Sequence, residues 1–168
     1  VEGSHGIPCD QINASFTGEI EGGSGRELLC DIGSDEKRVW ISIEDKKDSN
    51  YMMFAEVRGD TLFPSIFTRN SKTGERHPDF FARKFLAFAL ECFTSNGYEI
   101  NRVAALFLKG SINYQKYLRS RRKKVAPEDA VRFTWAGKVA EELGFTQVES
   151  IKEDPEENDI EVVFKRPN

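Results

Sequence analysis

The chain has 168 residues, 39% apolar and 31% charged, with a formal net charge of −4. This composition suits one folded domain with a real core and is too apolar for a disordered chain. It argues against a uniformly basic nucleic-acid binder. With no apolar run near the ~20 residues of a membrane helix, it also argues against a membrane partner.

Val1 to Gly6 reads VEGSHG, the look of an expression remnant, so His5 is given no role. Residues 1–15 are expected to be disordered or tag-derived, and residues 16–168 to form a single α/β domain. Cys9, Cys30 and Cys92 are odd in number and widely spaced. That is no disulfide framework, and it points to a reducing, cytoplasmic compartment.

Phe16–Glu21 alternates weakly and stops at Gly22-Gly23-Ser24-Gly25. Glu27–Ile32 and Arg38–Ile43 flank a turn and predict a hairpin. Pairing Ile32 with Arg38 would set Asp31 opposite Val39. Tyr51–Val57 predicts a third strand and Leu62–Phe67 a fourth, with Pro64 marking an edge or bulge. After the polar loop Thr68–His77, Pro78–Ser95 predicts a helix with Pro78 at its first position and Asn96-Gly97 as its stop. Phe81, Phe85, Phe88 and Cys92 form one stripe and Ala82, Leu86, Ala89 and Phe93 the next, so this helix is expected to be buried on most sides. The apolar run Ile100–Leu108 predicts a central strand covered on both faces. Helices are predicted over Asn113–Lys124 and Pro127–Leu143, then strands Thr146–Ile151 and Ile160–Phe164 around an acidic turn. The fold class is mixed α+β: an N-terminal antiparallel meander, a helix, a central strand, two helices and a C-terminal hairpin.

The charge is uneven. Lys116–Lys124 carries six cations and no acid, and Lys152–Glu161 carries six acids and one cation. Either stretch could meet a protein partner. Little aromatic interleaving accompanies the cations, so nucleic acid is the weaker option. Asp31 with Glu44-Asp45-Lys46 has the residue types of a metal-dependent nuclease. In the expected register, however, Asp31 and Glu44 stand about 17 Å apart, too far for one metal. No metal site is predicted. Glu56, on the strand face of Met52 and Phe54, is a candidate general base, and Tyr114 and Tyr117 are candidate proton donors. Cys92 reads as a small core hydrophobe. Gly137, within Thr134-Trp135-Ala136-Gly137-Lys138, is unusual inside a helix and is explained by close packing or by a ligand.

This order of elements, with Leu143-Gly144-Phe145 turning into Thr146-Gln147-Val148, resembles the GNAT acyltransferases over roughly residues 16–164. The resemblance implies a three-layer sandwich and an acyl-CoA cofactor, acetyl-CoA or another. The cofactor's pyrophosphate would sit on the loop before the helix that follows strand four. The matching loop supplies Arg69, Lys72, Gly74, Arg76 and His77. Of the family's Q/R-x-x-G-x-G/A loop pattern, Gly74 is present. The implied activity is acyl-CoA-dependent N-acyl transfer. A second resemblance, to C-terminal effector domains of bacterial polymorphic toxins, rests on Asn113, Pro127-Glu128-Asp129-Ala130, Thr134, Gly137-Lys138, Ala140 and Gly144-Phe145. It implies a non-catalytic or divergent effector, delivered into a target cell; the Glu-rich C-terminal region carries the other alternative, an immunity-type binding module.

Overall fold

The computed structural model describes residues 28–70 and 72–168. The 1–15 segment, Cys9, Phe16–Glu21 and the glycine turn after it lie outside these, as do the side chains of Leu29 and Cys30. The described chain holds seven strands and four helices, the mixed α+β class the sequence predicts. It falls into two compact units, one ending at Ile100 and the other running from Asn101 to Asn168.

In the first unit β1 (Leu28–Ser34), β2 (Arg38–Asp45), β3 (Met52–Arg58) and β4 (Thr61–Phe67) form an antiparallel meander. Alternation sets its two faces. Val39, Ile41, Ile43, Met53, Ala55, Val57 and Leu62 are buried. Arg38, Trp40, Ser42 and Glu44 take the alternate positions of β2 and are more exposed. Helix α1 (Ala82–Ser95) packs on β3 and buries Phe85, Leu86, Ala89, Leu90, Cys92 and Phe93. Burying each large apolar side chain contributes roughly 1.5–3 kcal/mol of transfer free energy.

Three expectations for this unit need correction. First, α1 starts at Ala82, not Pro78, because His77, Asp79 and Phe80 are engaged in a buried cluster ahead of the helix. Second, α1 buries one face: Phe81 is its N-cap residue and is 47% exposed. Third, Asp31 pairs with Ser42, and the ladder runs on to Ser34 opposite Val39. The turn is tighter than expected because Asp35 Oδ1 accepts the N–H groups of Lys37 and Arg38, at 2.9 and 3.0 Å. Glu44 therefore lies two ladder positions from Asp31 on the same face, a diagonal of about 7–8 Å. The distance objection to a shared metal falls. In this register the Trp40 indole N–H donates to Asp31 at 2.6 Å, and no group of three potential metal ligands forms among the described residues.

The second unit holds β5 (Arg102–Phe107), α2 (Ile112–Arg122), α3 (Pro127–Arg132), α4 (Trp135–Glu142), β6 (Gln147–Asp154) and β7 (Asp159–Lys165). β7 pairs antiparallel with both β5 and β6. The two-face burial expected of the apolar run holds at Val103 and Ala104, but Leu106 is 53% exposed. The helix predicted over Pro127–Leu143 is two helices. Thr134 breaks it: its buried hydroxyl donates to the Val131 carbonyl and accepts the Gly137 N–H at 3.0 Å. That is N-cap chemistry for α4. Gly137 is required by packing against the preceding helix, since a Cβ there would stand 2.3 Å from the Val131 carbonyl oxygen.

Candidate functional site

The loop after β4 is stapled by Asn70. Its Oδ1 accepts the N–H groups of Lys72 and Thr73, its carbonyl accepts Gly74 N–H, and its own N–H donates to the Glu75 carbonyl. The His77 N–H donates to Thr68 O, and Arg69 bridges Arg76 across the ribbon. Gly74 has φ 72°, the left-handed conformation that glycine adopts without strain. These N–H groups point into the loop, so a phosphate cradle of backbone donors is not preformed there.

The side chains are arranged differently. Arg69, Lys72 and Arg76 are exposed. Arg69 Nη1 donates to the Gly74 carbonyl at 3.3 Å, and the Arg76 guanidinium lies 5.2 Å from the Phe81 ring centroid. Beyond Phe81, α1 begins with no side-chain cap and no acid in its first turn. Arg83 and Lys84 occupy that turn and are exposed. Cations are disfavoured at a helix N-terminus, typically by about 0.3–1 kcal/mol each, and a bound anion reverses that sign.

His77 does not belong to this outer set. Its side chain is fully buried, with Nε2 2.8 Å from Asp45 Oδ2. Nδ1 accepts the Asp79 N–H at 3.1 Å, which places the ring proton on Nε2, donating to Asp45. Phe80 stacks on the imidazole at 3.9 Å and Tyr51 meets it edge-on at 4.9 Å. Asp45 Oδ1 accepts the N–H groups of Lys47 and Asp48. The expected phosphate ligand is thus a structural pin tying the loop to β2. In the sequence its partner, Asp45, stands out only within the nuclease-like run Glu44-Asp45-Lys46. Two Phe after His-Pro-Asp were the available sign of a buried ring.

Glu56 is neither an open base nor a solvated strand end. It is buried, with Oε2 3.1 Å from Arg38 Nη1 and Oε1 3.2 Å from Arg58 Nη2. Arg38 lies over Trp40 at 5.1 Å and Arg58 over Phe63 at 4.1 Å. Each Glu56 carboxylate oxygen is held by a guanidinium, so a substrate proton would have to reach a lone pair beside an arginine. In the second unit Tyr117 is 1% exposed and donates to Glu153 Oε1 at 2.8 Å. Burial first, and that hydrogen bond second, push its hydroxyl up to about 12. A deeply seated hydroxyl of this kind is a poor proton donor to a ligand. Tyr114 is half-buried, and its N–H donates to the Ser111 hydroxyl that caps α2. Burial pushes the Cys92 thiol up to about 11, in keeping with its core role. The structure thus brings Arg69, Lys72, Gly74 and Arg76 together on one loop and takes His77 out of ligand reach.

No family model matches the chain, and no curated protein matches it. Among solved structures it is similar to a crystal structure titled “putative acetyltransferase” from Sphaerobacter thermophilus. The identity is 9% and the TM-score 0.35, over 98% of this chain and 91% of that one. At that TM-score no conclusion about fold or activity follows from the likeness.

Proposed function

We propose that the chain is an acyltransferase-like domain that binds the phosphates of an acyl-CoA through the side chains of Arg69, Lys72 and Arg76 and the start of α1. The observation supporting this is a helix start that carries Arg83 and Lys84, no first-turn acid and no side-chain cap, just beyond a cationic loop. The loop's backbone is self-satisfied, so charge and guanidinium geometry would hold the anion. When bound, acyl-CoA supplies an activated thioester. Calorimetric titration with acetyl-CoA should give binding that weakens with salt and falls roughly tenfold in Arg76→Ala, the scale of one charge-assisted contact. A flat titration at millimolar ligand would remove this reading.

A second reading, a non-catalytic effector or immunity-type binding module, draws support from the engagement of Glu56 by two arginines and the burial of Tyr117. Of the three candidate acid–base groups, Glu56 and Tyr117 are not open to a substrate. Acetyl-CoA binding without thiol release in the presence of amines would favour this second reading. Thiol release that depends on an amine would favour the first.

A further inference from the structure

We infer that the helical layer of the second unit is a peripheral docking surface for an anionic lipid bilayer. From Lys109 to Lys138 the chain carries nine cations and two acids. At helical spacing Ile112, Lys116, Arg119 and Lys123 share one stripe of α2, and all four are exposed. Tyr117 and Ser120, which flank this stripe, are buried. The Tyr117 hydroxyl, which holds Glu153, also sits beside Arg121, so Arg121 is set apart from the exposed stripe. Among the described residues, none of the cations from Lys116 to Lys124 is ion-paired with the acids of the β6–β7 turn.

The apolar part of the surface lies at one end of this stripe. Ile112 is 67% exposed and Phe133 48%. The Asn113 side chain accepts the Ala136 N–H at 3.1 Å, which ties the start of α4, with Trp135 38% exposed, to the start of α2. Exposed large apolar side chains grouped in this way mark an interaction site. They come from the ends of separate helices and are highly exposed rather than recessed, so they offer little pocket for the anchor of a protein partner. A bilayer requires only apolar and aromatic tips at the headgroup level beside a line of cations. Peripheral binding of this kind needs no membrane-spanning run.

The test is co-sedimentation of the full chain with phosphatidylcholine vesicles, with and without about 30% phosphatidylserine. Trp135 emission is followed in a Trp40→Phe background, and circular dichroism confirms the fold of each variant. Binding should require phosphatidylserine, fade at high salt and shift Trp135 emission to the blue. Lys116→Glu with Arg119→Glu should weaken binding roughly tenfold or more, and Ile112→Ser with Phe133→Ser should abolish the blue shift. Lys116→Arg with Arg119→Lys should bind as the parent does. Equal binding to both vesicle types, indifference to either pair of substitutions, or sedimentation without a change at Trp135 would each overturn the inference. So would poly-glutamate or single-stranded RNA displacing the vesicles at equal charge with the same spectral shift, since the surface would then be a general anion site.

Discussion

At the scale of single residues, the His77–Asp45 pair ranks among the strongest constraints in the first unit. Both side chains are out of solvent, 2.8 Å apart, and His77 Nδ1 accepts the Asp79 N–H. His77→Ala would leave a buried carboxylate without its ring partner and an empty slot against Phe80. Stability should fall by about 3–5 kcal/mol in chemical denaturation, the usual cost of removing one member of a buried pair. Asp45→Asn, which keeps the shape, should cost less. In the second unit Tyr117 predicts a pH dependence. Its hydroxyl moves from its ordinary value of 10 to about 12 on folding, so the fold holds the neutral form more tightly than the unfolded chain does. That contribution is fully present below pH 10 and is lost as pH rises from 10 through about 12. Denaturation curves at rising pH should show this loss in the parent and a shallower one in Tyr117→Phe.

At the scale of elements, the break between α3 and α4 depends on Thr134 and Gly137. Thr134→Ala removes the cap and should cost about 1 kcal/mol. Gly137→Ala improves helix propensity by about 1 kcal/mol, yet it sets a methyl against the Val131 carbonyl. Overpacking should win, giving a net loss of about 1–3 kcal/mol by thermal melting. A gain would mean that α3 can shift to make room. Much of this layer was legible in the sequence. The β-rich runs of β2 and β3 and the stripe Ala82, Leu86, Ala89 and Phe93 mark their elements, the stripe because burial on one face imposes a period. The helix break at Thr134 was not read. The same residues fit either a helix interior with one poor former or a cap followed by a fresh start, and tertiary crowding at Gly137 selects the second. The start of α1 differs for a related reason: Pro78 and Asp79 are good helix-opening residues, but the buried His77 ring holds the Asp79 N–H. The candidate site was legible as a cationic loop. That its N–H groups are spent on Asn70 depends on a side-chain conformation with no periodic signature.

At the scale of the whole molecule, the charge is concentrated at separate places. The turn after β6 is closed by Asp154, whose carboxylate accepts the N–H groups of Glu156 and Glu157, and both glutamates remain exposed. Self-repulsion within this turn opposes folding and is relieved by screening. The cations of α2 are not paired with it among the described residues. The melting temperature should therefore rise or stay flat as salt is added. A clear fall, absent when the turn acids are neutralised, would show that attraction between turn and helix dominates.

The chain has two tryptophans, and the fold assigns one to each unit. Trp40 lies in the unit ending at Ile100 and donates its indole N–H to Asp31, while Trp135 opens α4 in the unit beginning at Asn101. Each unit therefore carries its own optical reporter in a different setting, one hydrogen-bonded over a strand pair and one at a helix start. Two single-tryptophan variants turn the question of whether 16–168 behaves as one cooperative body into a comparison of two melting curves. Superimposed midpoints describe a single cooperative transition, and separated ones describe units that give way in sequence.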